Sequence, residues 1–405
     1  MADFYQSRLI TTFHQLGTPN LDRLEKELEY LSKKRNLALV LPALFSEFES
    51  DALPNIIEKL KGVSYINEIV LVLGKADSDQ FDHACSCLKE LPQKLVNVIW
   101  LDSPRIQEVL RTIEEQDLFI GEDGKGRAVW VAYGYILGKG ETRIIAQHDC
   151  DIISYDRRLL AHLIYPAMNR NLGFQFVKGY YARVTDQMYG RVTRLFVSPL
   201  IRALMDLVGH QHFLIYLDDF RYPLSGEVAM TSDLARLNRV PGGWGLEIGT
   251  LAEVYRNVAP KRVCQVDLAD TYEHKHQPLS PDDPERGLLK MCIDISDSIF
   301  HTLASEGVVF GKEVFRSLKA NYLRQAEDTI WKCAGDAEIN GLVFDRHEEG
   351  LAVETFARGL ETAGQRFMEI PAGRARIPNW SRVADALPHI QQQLVDAVAS
   401  DCRIG

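Results

Sequence analysis

The sequence predicts an α/β protein built on a doubly wound, mainly parallel sheet, and three observations carry that prediction. Short runs that are apolar throughout recur over the first 150 residues, as in strands covered on both faces. Helical patterns separate these runs, which is the alternation of a right-handed doubly wound layer. The 405 residues, 46% of them hydrophobic, are ample for a buried core without disulfides or a structural metal.

The elements follow in order along the chain. An amphipathic helix begins at Asn20, and the strand candidates after it are LALVLP (37–42), EIVLVLG (68–74), VNVIWL (96–101) and RIIAQHD (143–149). Helical patterns between and after the first three strands cover 53–62, 78–90, 104–115 and 127–140. Ligands of such sheets bind at the carboxyl ends of the strands, so we expect the site there.

Beyond residue 150 the pattern changes twice. Residues 151–280 are mixed, with two short strand candidates (GFQFVKGYYARV and VCQVDLAD), a helix over 193–209 and loops dense in glycine and proline. After about Pro284 the pattern is almost wholly helical. We therefore predict an α/β region over 1–150, a mixed region of the same domain over 151–280, and a helical C-terminal extension over 281–405.

Charge and cysteine content limit the partners. With 46 Lys and Arg against 56 Asp and Glu, the net charge is −10, which argues against nucleic acid because Lys and Arg supply most of that affinity. The seven cysteines form no CxxC pair, the N-terminus lacks a secretory pattern, and no apolar run approaches the ~20 residues that span a bilayer. We expect a cytoplasmic protein with no membrane partner.

His148-Asp149-Cys150-Asp151 directly follows the fourth strand candidate. Two carboxylates at i and i+2 on such a loop can reach one hard cation, Mg²⁺ or Mn²⁺, shared with phosphate oxygens. A solvated turn is the alternative, and the position after the strand favours the metal site. His148 is expected to be structural, and His274 or His276 could complete the metal site.

Glycines flank Lys125 just before a predicted helix. Backbone N–H groups and one ammonium group there could bind an anion, although an ordinary turn fits equally well. Gly126 follows Lys125 where a Walker A loop requires Ser or Thr, so that class of phosphate loop is excluded.

A second anion site is predicted at Gly190-Arg191-Val192-Thr193, where Thr193 would cap a helix and Arg191 would lie beside its free amides. A capped surface helix is the alternative, and the nearby Lys178, Arg183 and Arg194 favour the anion site. Glu227 and Glu247 lie next to or near glycines and could accept sugar hydroxyls, or serve as turn carboxylates.

In this order, the motifs resemble the glucosyl-3-phosphoglycerate synthases, retaining glycosyltransferases of family 81 with the GT-A fold. The resemblance runs from about Leu37 to Pro278, roughly two thirds of the chain. The matching strings are Pro42-Ala43-Leu44, Gly124-Lys125-Gly126, Asp149-Cys150-Asp151, Gly190-Arg191-Val192-Thr193, Pro223-Leu224-Ser225-Gly226-Glu227, Gly245-Leu246-Glu247-Ile248-Gly249, and His274 with Pro278.

The resemblance implies a Rossmann-like nucleotide-sugar region in a GT-A fold, and transfer of glucose from UDP-glucose to the 2-hydroxyl of D-3-phosphoglycerate. It also implies retention of configuration, Mg²⁺ or Mn²⁺, a homodimer and a role in compatible-solute synthesis. Dimer contacts are expected from the C-terminal helices, whose apolar faces must be buried.

The resemblance also implies roles for individual residues. Asp151, Glu247 and Lys125 are the candidates for the catalytic step. The metal would be held by Asp149, Asp151 and His274. The donor would be bordered by Pro42, Ala43, Leu44, Glu47, Gly74, Lys125, Asp149, Cys150 and Leu224. The acceptor would be bound by Gly190, Arg191, Val192 and Thr193, with Lys178 and Glu247 also on the substrate side.

Two departures from the family pattern leave alternatives open. Phe45 and Ser46 stand where the family usually has Asn and an acidic residue, so a mannosyl-3-phosphoglycerate synthase using GDP-mannose is the main alternative. A non-catalytic sugar-nucleotide sensor is less favoured, because Asp149, Asp151 and His274 are all present. Cys150 replaces the commoner Ser, a side chain that need not bind metal. The C-terminal helices have no clear counterpart in the shorter members.

Overall fold

Eight strands form one sheet in the order β1-β8-β6-β7-β5-β2-β3-β4, and every neighbouring pair is parallel except the two that β7 makes with β5 and β6. The computed structural model describes residues 6, 8–17, 20–92, 96–243, 245–269, 279–370, 373 and 375–402. The strands are β1 (Thr11–Phe13), β2 (Leu37–Leu44), β3 (Glu68–Gly74), β4 (Val96–Trp100), β5 (Ile144–Gln147), β6 (Phe176–Tyr181), β7 (Val228–Thr231) and β8 (Val263–Ala269).

Helices cover both faces of the sheet, as the alternating pattern predicts. They are α1 (Leu21–Ser32), α2 (Ala52–Leu60), α3 (Ser78–Leu88), α4 (Pro104–Glu114), α5 (Lys125–Lys139), α6 (Arg157–Met168), α7 (Ser198–Val208), α8 (His212–Asp218), α9 (Ser232–Leu237), α10 (Leu246–Asn257), α11 (Gly287–Ser305), α12 (Lys312–Asn340), α13 (Arg346–Glu369), α14 (Trp380–Ala386) and α15 (Ile390–Asp401). One core contains side chains of α1, α2, α3 and α6, and the other contains those of α4, α5 and the C-terminal helices.

Strand β2 shows why the predicted strands are apolar throughout. Ala38 and Val40 lie in one core, whereas Leu37, Leu39 and Leu41 lie in the other. Side chains of a strand alternate between faces, so a strand with a core on each side needs no polar position. The predicted α/β fold is confirmed, and the four strand candidates of the first 150 residues are all strands.

The register brings the carboxyl ends of three strands to one edge. Leu44 pairs with Gly74 across β2 and β3, and Val40 pairs with Gln147 across β2 and β5. The loops that follow these strands therefore leave from neighbouring points, at the edge where open α/β sheets bind ligands.

The middle region departs from the prediction in its elements and at one helix start. It contains a third strand, β7, and four helices, α6, α8, α9 and α10, that the sequence analysis did not identify. The prediction that Thr193 caps a helix is wrong, since the helical segment begins at Arg191 and Thr193 lies buried inside a π-helical turn (Val192–Val197) that leads into α7. Gly190, at φ +72°, ends the loop. The N–H of Arg194 donates to the Gly190 carbonyl oxygen at 3.0 Å, so the helical hydrogen bonds begin before Thr193.

The C-terminal helices pack against the rest of the protein in two groups: α11, α12 and α13 against α10, α7 and the π-helical turn, and α14 and α15 against α9, α5 and α4. The indole rings of Trp130 on α5 and Trp380 on α14 stack with centroids 4.4 Å apart, and the Trp380 indole N–H donates to the Trp130 carbonyl oxygen. At the end of α15, Asp401 accepts from Ser103 Oγ and Arg105 Nη1, both at 2.6 Å. The division at residue 280 stays a prediction. None of the helices described is both long and apolar enough to cross a membrane.

Candidate functional site

The Asp-x-Asp loop leaves β5 at the carboxyl edge of the sheet. His148 is fully buried, with its ring 5.5 Å from that of Tyr155, and burial lowers the pKa of His148 to about 4. His148 is therefore neutral and part of the core, as predicted. Cys150 is also buried, and Asp149 and Asp151 are partly exposed on either side of it.

Lys125 joins two of the predicted site residues. It is the first residue of α5, and its ammonium lies 2.7 Å from Asp149 Oδ1 and 3.1 Å from Glu247 Oε1. Burial opposes the charged form, but the two carboxylates hold the pKa of Lys125 well above its usual value. Lys125 and Glu247, which are 122 positions apart, thus form an ion triple with Asp149, because α5 and α10 both begin at this edge of the sheet.

Glu227 lies beneath the Asp149 carboxylate and is fully buried. Its Oε2 accepts from the Tyr181 hydroxyl at 2.7 Å and from Ser225 Oγ at 3.2 Å, and its Oε1 accepts from the Asp149 N–H at 3.4 Å. The preceding Gly226 is needed for this approach, since a Cβ there would lie 2.6 Å from Asp149 Cγ. Glu227 thus supports the loop that carries Asp149.

Lys178 on β6 is the second cation of this region and, unlike Lys125, it is buried, at 1% exposure. Its ammonium donates to the Ser225 carbonyl oxygen at 2.7 Å. Burial lowers the pKa of Lys178 to about 8, and the charges of Glu247 and Glu227 limit the fall. Lys178 therefore lies among the acidic groups of the site rather than with the arginines that the sequence analysis grouped it with.

We call these groups the acidic cluster: Asp149, Asp151, Glu227 and Glu247, with Lys125 and Lys178. Burial raises the pKa of Asp149 to about 6 against the opposing effect of Lys125, and Glu227 and Asp151 add to the rise. Four carboxylates face two ammonium groups, so the formal charge is −2, and oxygen ligands of this kind suit Mg²⁺ or Mn²⁺.

The oxygen donors present suit a divalent cation, and the assignment of Asp149 and Asp151 as two of its ligands stays a prediction. Within the described ranges, no three His, Cys, Asp or Glu side chains are grouped closely enough to hold a metal ion. His274 and His276, predicted as further ligands, lie outside the described residues.

The predicted donor-binding residues lie along the same edge. Pro42, Ala43 and Leu44 end β2, Gly74 ends β3, and Glu47 lies in the 3₁₀ turn after β2. Leu44 is 44% exposed, so it can contact a ligand. Phe45, which differs from the family pattern, packs with Phe48 and His83, at ring-centroid distances of 6.1 and 5.7 Å. Leu224 lies partly buried in the loop before Ser225, next to the acidic cluster.

The predicted acceptor residues form a different environment. Gly190 precedes the helical segment, Val192 and Thr193 are buried, and the side chain of Arg191 is 37% exposed. Arg191 Nε and Arg194 Nη1 each donate to the buried carboxylate of Glu349 on α13, both at 2.8 Å. We call Arg183, Arg191 and Arg194 with Glu349 the arginine cluster, whose formal charge is +2.

Two tyrosines connect the clusters. Tyr181, which donates to Glu227, has its ring 5.1 Å from that of Tyr222, and Tyr222 accepts from Arg183 Nη1 at 3.1 Å. A Cβ on Gly190 would lie 3.5 Å from the Tyr222 ring. The acidic and arginine clusters are therefore parts of one contiguous site.

Sequence reasoning missed Tyr181, Tyr222 and Glu349 as site residues. The tyrosines belong to segments read only as strand and loop, and Glu349 lies in a helix with no motif. Arg191 and Glu349 are 158 positions apart, so spacing could not have indicated their contact.

A scan against models of protein families finds no match. A glucosyl-3-phosphoglycerate synthase from Mycobacterium tuberculosis in complex with Mn²⁺, UDP-glucose and phosphoglyceric acid has a TM-score of 0.52 at 23% identity, covering 75% of this chain and 89% of that one. The complex of that enzyme with Mg²⁺ and UDP has a TM-score of 0.53 at 24% identity, and the same shares of the two chains are covered. The GT-A type of fold is thereby confirmed.

Curated relatives match over the whole length. A glucosyl-3-phosphoglycerate synthase from Persephonella marina is 47% identical over 401 residues, 99% of both chains. One from Methanococcoides burtonii is 37% identical over 406 residues, 99% of this chain and 98% of that protein. This chain is a member of the glucosyl-3-phosphoglycerate synthase family.

Proposed function

We propose that the protein is a metal-dependent glycosyltransferase that transfers glucose from UDP-glucose to the 2-hydroxyl of D-3-phosphoglycerate with retention of configuration. The observation that carries the proposal is the pairing of an acidic cluster with an arginine cluster in one site. A nucleotide sugar bound through a divalent cation needs the acidic cluster, and an anionic acceptor needs the arginine cluster. The names of the full-length relatives support glucosyl-3-phosphoglycerate as the product, and the structure of a relative with UDP-glucose and phosphoglyceric acid supports the substrates.

The donor would bind along the ends of β2, β3 and β5. Asp149 and Asp151 would hold Mg²⁺ or Mn²⁺, together with His274. The bound metal would neutralise charge on the departing diphosphate. Lys125 lies against Asp149, so its ammonium can orient that carboxylate and face the donor phosphates. Glu247, held by Lys125, would accept hydroxyl hydrogen bonds from the glucose.

The acceptor would bind at the arginine cluster. Phosphoglycerate carries a phosphate and a carboxylate, and planar guanidinium groups bind both in a bidentate manner. The side chain of Arg191 is 37% exposed and can reach a ligand, whereas that of Arg194 is 18% exposed. The backbone of Gly190, Val192 and Thr193 would border the same anion.

Retention is best explained by a same-face mechanism. A double displacement needs a free carboxylate as nucleophile, but Glu227 is fully buried with hydrogen bonds to both oxygens, and Glu247 contacts Lys125. The leaving diphosphate would instead take the proton of the acceptor hydroxyl on the face from which it departs. Trapping a covalent glycosyl-enzyme on Glu227 or Glu247 would overturn this mechanism.

Two further parts of the proposal concern the whole protein. We place it in the cytoplasm, in a pathway of compatible-solute synthesis, and all seven cysteines are unpaired, as a reducing compartment requires. We also propose a homodimer through the C-terminal helices, where Trp331 is 70% and Ile339 85% exposed on α12. Light scattering on the full chain and on Trp331→Glu with Ile339→Glu tests this, since a dimer that persists in the variant excludes that face.

One assay tests the proposed reaction. Purified protein is incubated with Mg²⁺ or Mn²⁺, 3-phosphoglycerate and, in turn, UDP-glucose, UDP-galactose, GDP-glucose and GDP-mannose, and nucleotide release and the anomeric configuration of the product are followed. Release of UDP from UDP-glucose with an α-linked product is expected. Faster release of GDP from GDP-mannose would support the mannosyl alternative, and binding without release from any donor would support the sensor.

A further inference from the structure

Glu349 is a buried carboxylate that the C-terminal extension inserts between two arginines of the acceptor region. It is 4% exposed and lies in the first turn of α13. One of its oxygens accepts from Arg191 Nε and the other from Arg194 Nη1, both at 2.8 Å. Charge-assisted hydrogen bonds of this kind are short and strongly directional, so Glu349 fixes how both guanidinium groups lie.

The two arginines use their nitrogens differently. Arg194 also donates from Nε to the Tyr189 carbonyl oxygen at 2.9 Å and from Nη2 to that of Met188 at 3.3 Å, so it fastens the preceding loop. In the described part of the chain, Arg191 makes its hydrogen bonds through Nε alone. Its two terminal nitrogens are therefore available to an anion while Nε is held from behind.

The helix that carries Glu349 is itself held in place. The Val343 N–H, shortly before α13, donates to the Asp186 carbonyl oxygen at 2.8 Å, which ties the extension to the loop before Gly190. Phe356 of α13 is fully buried, with its ring 5.7 Å from that of Phe196 in the π-helical turn. Glu349 thus has a rigid support, as a residue that positions another side chain requires.

We propose that Glu349 is the positioning residue of the acceptor site, which turns the terminal nitrogens of Arg191 toward the phosphate or carboxylate of the acceptor. This inference rests on the proposed function, because it assigns an anionic acceptor to Arg191. It gives the C-terminal extension a part in substrate binding. A guanidinium has five N–H donors, so Arg191 can bind Glu349 and an acceptor anion together.

The test is Glu349→Gln, which keeps the shape of the side chain and removes its charge. The KM for 3-phosphoglycerate should rise about tenfold, and the KM for UDP-glucose should stay within about twofold. Glu349→Asp keeps the charge but cannot span both arginines, so its KM for 3-phosphoglycerate should also rise while its KM for UDP-glucose does not. Because this variant keeps a buried carboxylate, it guards the test against a folding defect. Adding Glu349→Gln to Arg191→Ala should raise the KM no further, because the two act as one unit.

Glu253 provides the matched control. It is also buried, at 3% exposure, and it also joins two arginines, with Arg239 Nη2 at 2.7 Å and Arg376 Nη1 at 2.8 Å. Glu253→Gln should lower the melting temperature comparably and leave the KM for 3-phosphoglycerate within about twofold. A rise in that KM for both variants would mean that loss of a buried ion pair, and not positioning of Arg191, is the cause.

The remaining outcomes separate the inference from the proposed function. Wild-type turnover of 3-phosphoglycerate with an unchanged or lowered KM in both Glu349 variants would overturn the positioning role alone. A lowered KM would show Glu349 competing with the acceptor for Arg191. If calorimetry shows that the wild type does not bind 3-phosphoglycerate and no turnover is seen, the proposed function and the positioning role both fail.

Discussion

The acidic cluster and the arginine cluster are both networks of ion pairs, but they are built in opposite senses. In the first, four carboxylates surround two lysines, and the lysines are the minority charge. In the second, Glu349 pairs with Arg191 and Arg194, Arg183 lies nearby against Tyr222, and the carboxylate is the minority charge. The lysines hold the carboxylates of the acidic cluster in place, and Glu349 holds two arginines of the arginine cluster. Each cluster keeps a net charge that can bind a ligand.

The difference also concerns where each cluster comes from. The acidic cluster is built from strand ends and helix starts of the sheet, whereas the arginine cluster needs a side chain from α13. Under the proposed function, a chain with a net charge of −10 would bind two anionic substrates, one through a cation and the other through locally gathered arginines. Four variants test whether the two clusters differ in this way.

Asp151→Ala should have the largest effect. Loss of a metal ligand from the acidic cluster should lower kcat about a thousandfold, since a Lewis acid contributes several kcal/mol to stabilising the leaving group. Nucleotide release measures the activity, and thermal unfolding with and without Mn²⁺ measures metal binding separately. Asp328→Ala, on the exposed side of α12, is the control. Near-normal activity with a retained Mn²⁺ shift would refute the assignment of Asp151.

Gly226→Ala should disturb the acidic cluster without changing any charge. The new Cβ would lie 2.6 Å from Asp149 Cγ, so the carboxylate must move. A shift of about an ångström in the position of the Asp149 carboxylate should lower kcat about a hundredfold and leave the KM for 3-phosphoglycerate nearly unchanged. Steady-state kinetics decide the matter, with Gly335→Ala on α12, where a Cβ meets nothing within 4 Å, as the comparison. Equal changes in both parameters would mean that the clusters are not separable.

Arg191→Ala should affect the acceptor alone. The KM for 3-phosphoglycerate should rise roughly thirtyfold, because a charge-assisted, bidentate contact is lost, while the KM for UDP-glucose changes little. The same variant should lose the stabilisation of the wild type by 3-phosphoglycerate in thermal unfolding. Arg324→Ala, exposed on α12, serves as the control. Parallel rises in both KM values would show that Arg191 does not belong to the acceptor site.

Lys178→Met should act on the free energy of unfolding, and the size of that effect should depend on pH. The pKa of Lys178 is lowered from 10.5 to about 8, so between these values the unfolded chain binds a proton that the folded protein has lost. The free energy of unfolding of the wild type should therefore rise with pH relative to the variant, by roughly 3 kcal/mol across this window. Urea unfolding from about pH 7 to about pH 10 measures the difference. A difference that does not change with pH would place Lys178 in a more polar environment.

The parts of the fold that the sequence predicted are those with a local signal. Strand β2 is apolar throughout, and β3 is apolar after Glu68, because a core lies on each side. Lys125 and Asp149 stand beside a helix start and a strand end that the pattern locates, whereas α10, which begins beside Glu247, was not predicted. Strand β7 was missed because only Val228–Thr231 pair in it, after a loop that looks irregular. The role of Glu349 was missed because its partner is 158 positions away.

The stacked indoles of Trp130 and Trp380 give the protein a built-in optical reporter. Their centroids are 4.4 Å apart with an angle of 18° between the rings, and the Trp130 indole N–H donates to the Pro378 carbonyl oxygen. Two indoles at this separation couple their electronic transitions, so the pair should give a near-ultraviolet circular dichroism band that isolated indoles lack. That band would report whether the C-terminal segment is seated on the helix that begins with Lys125, independently of any substrate.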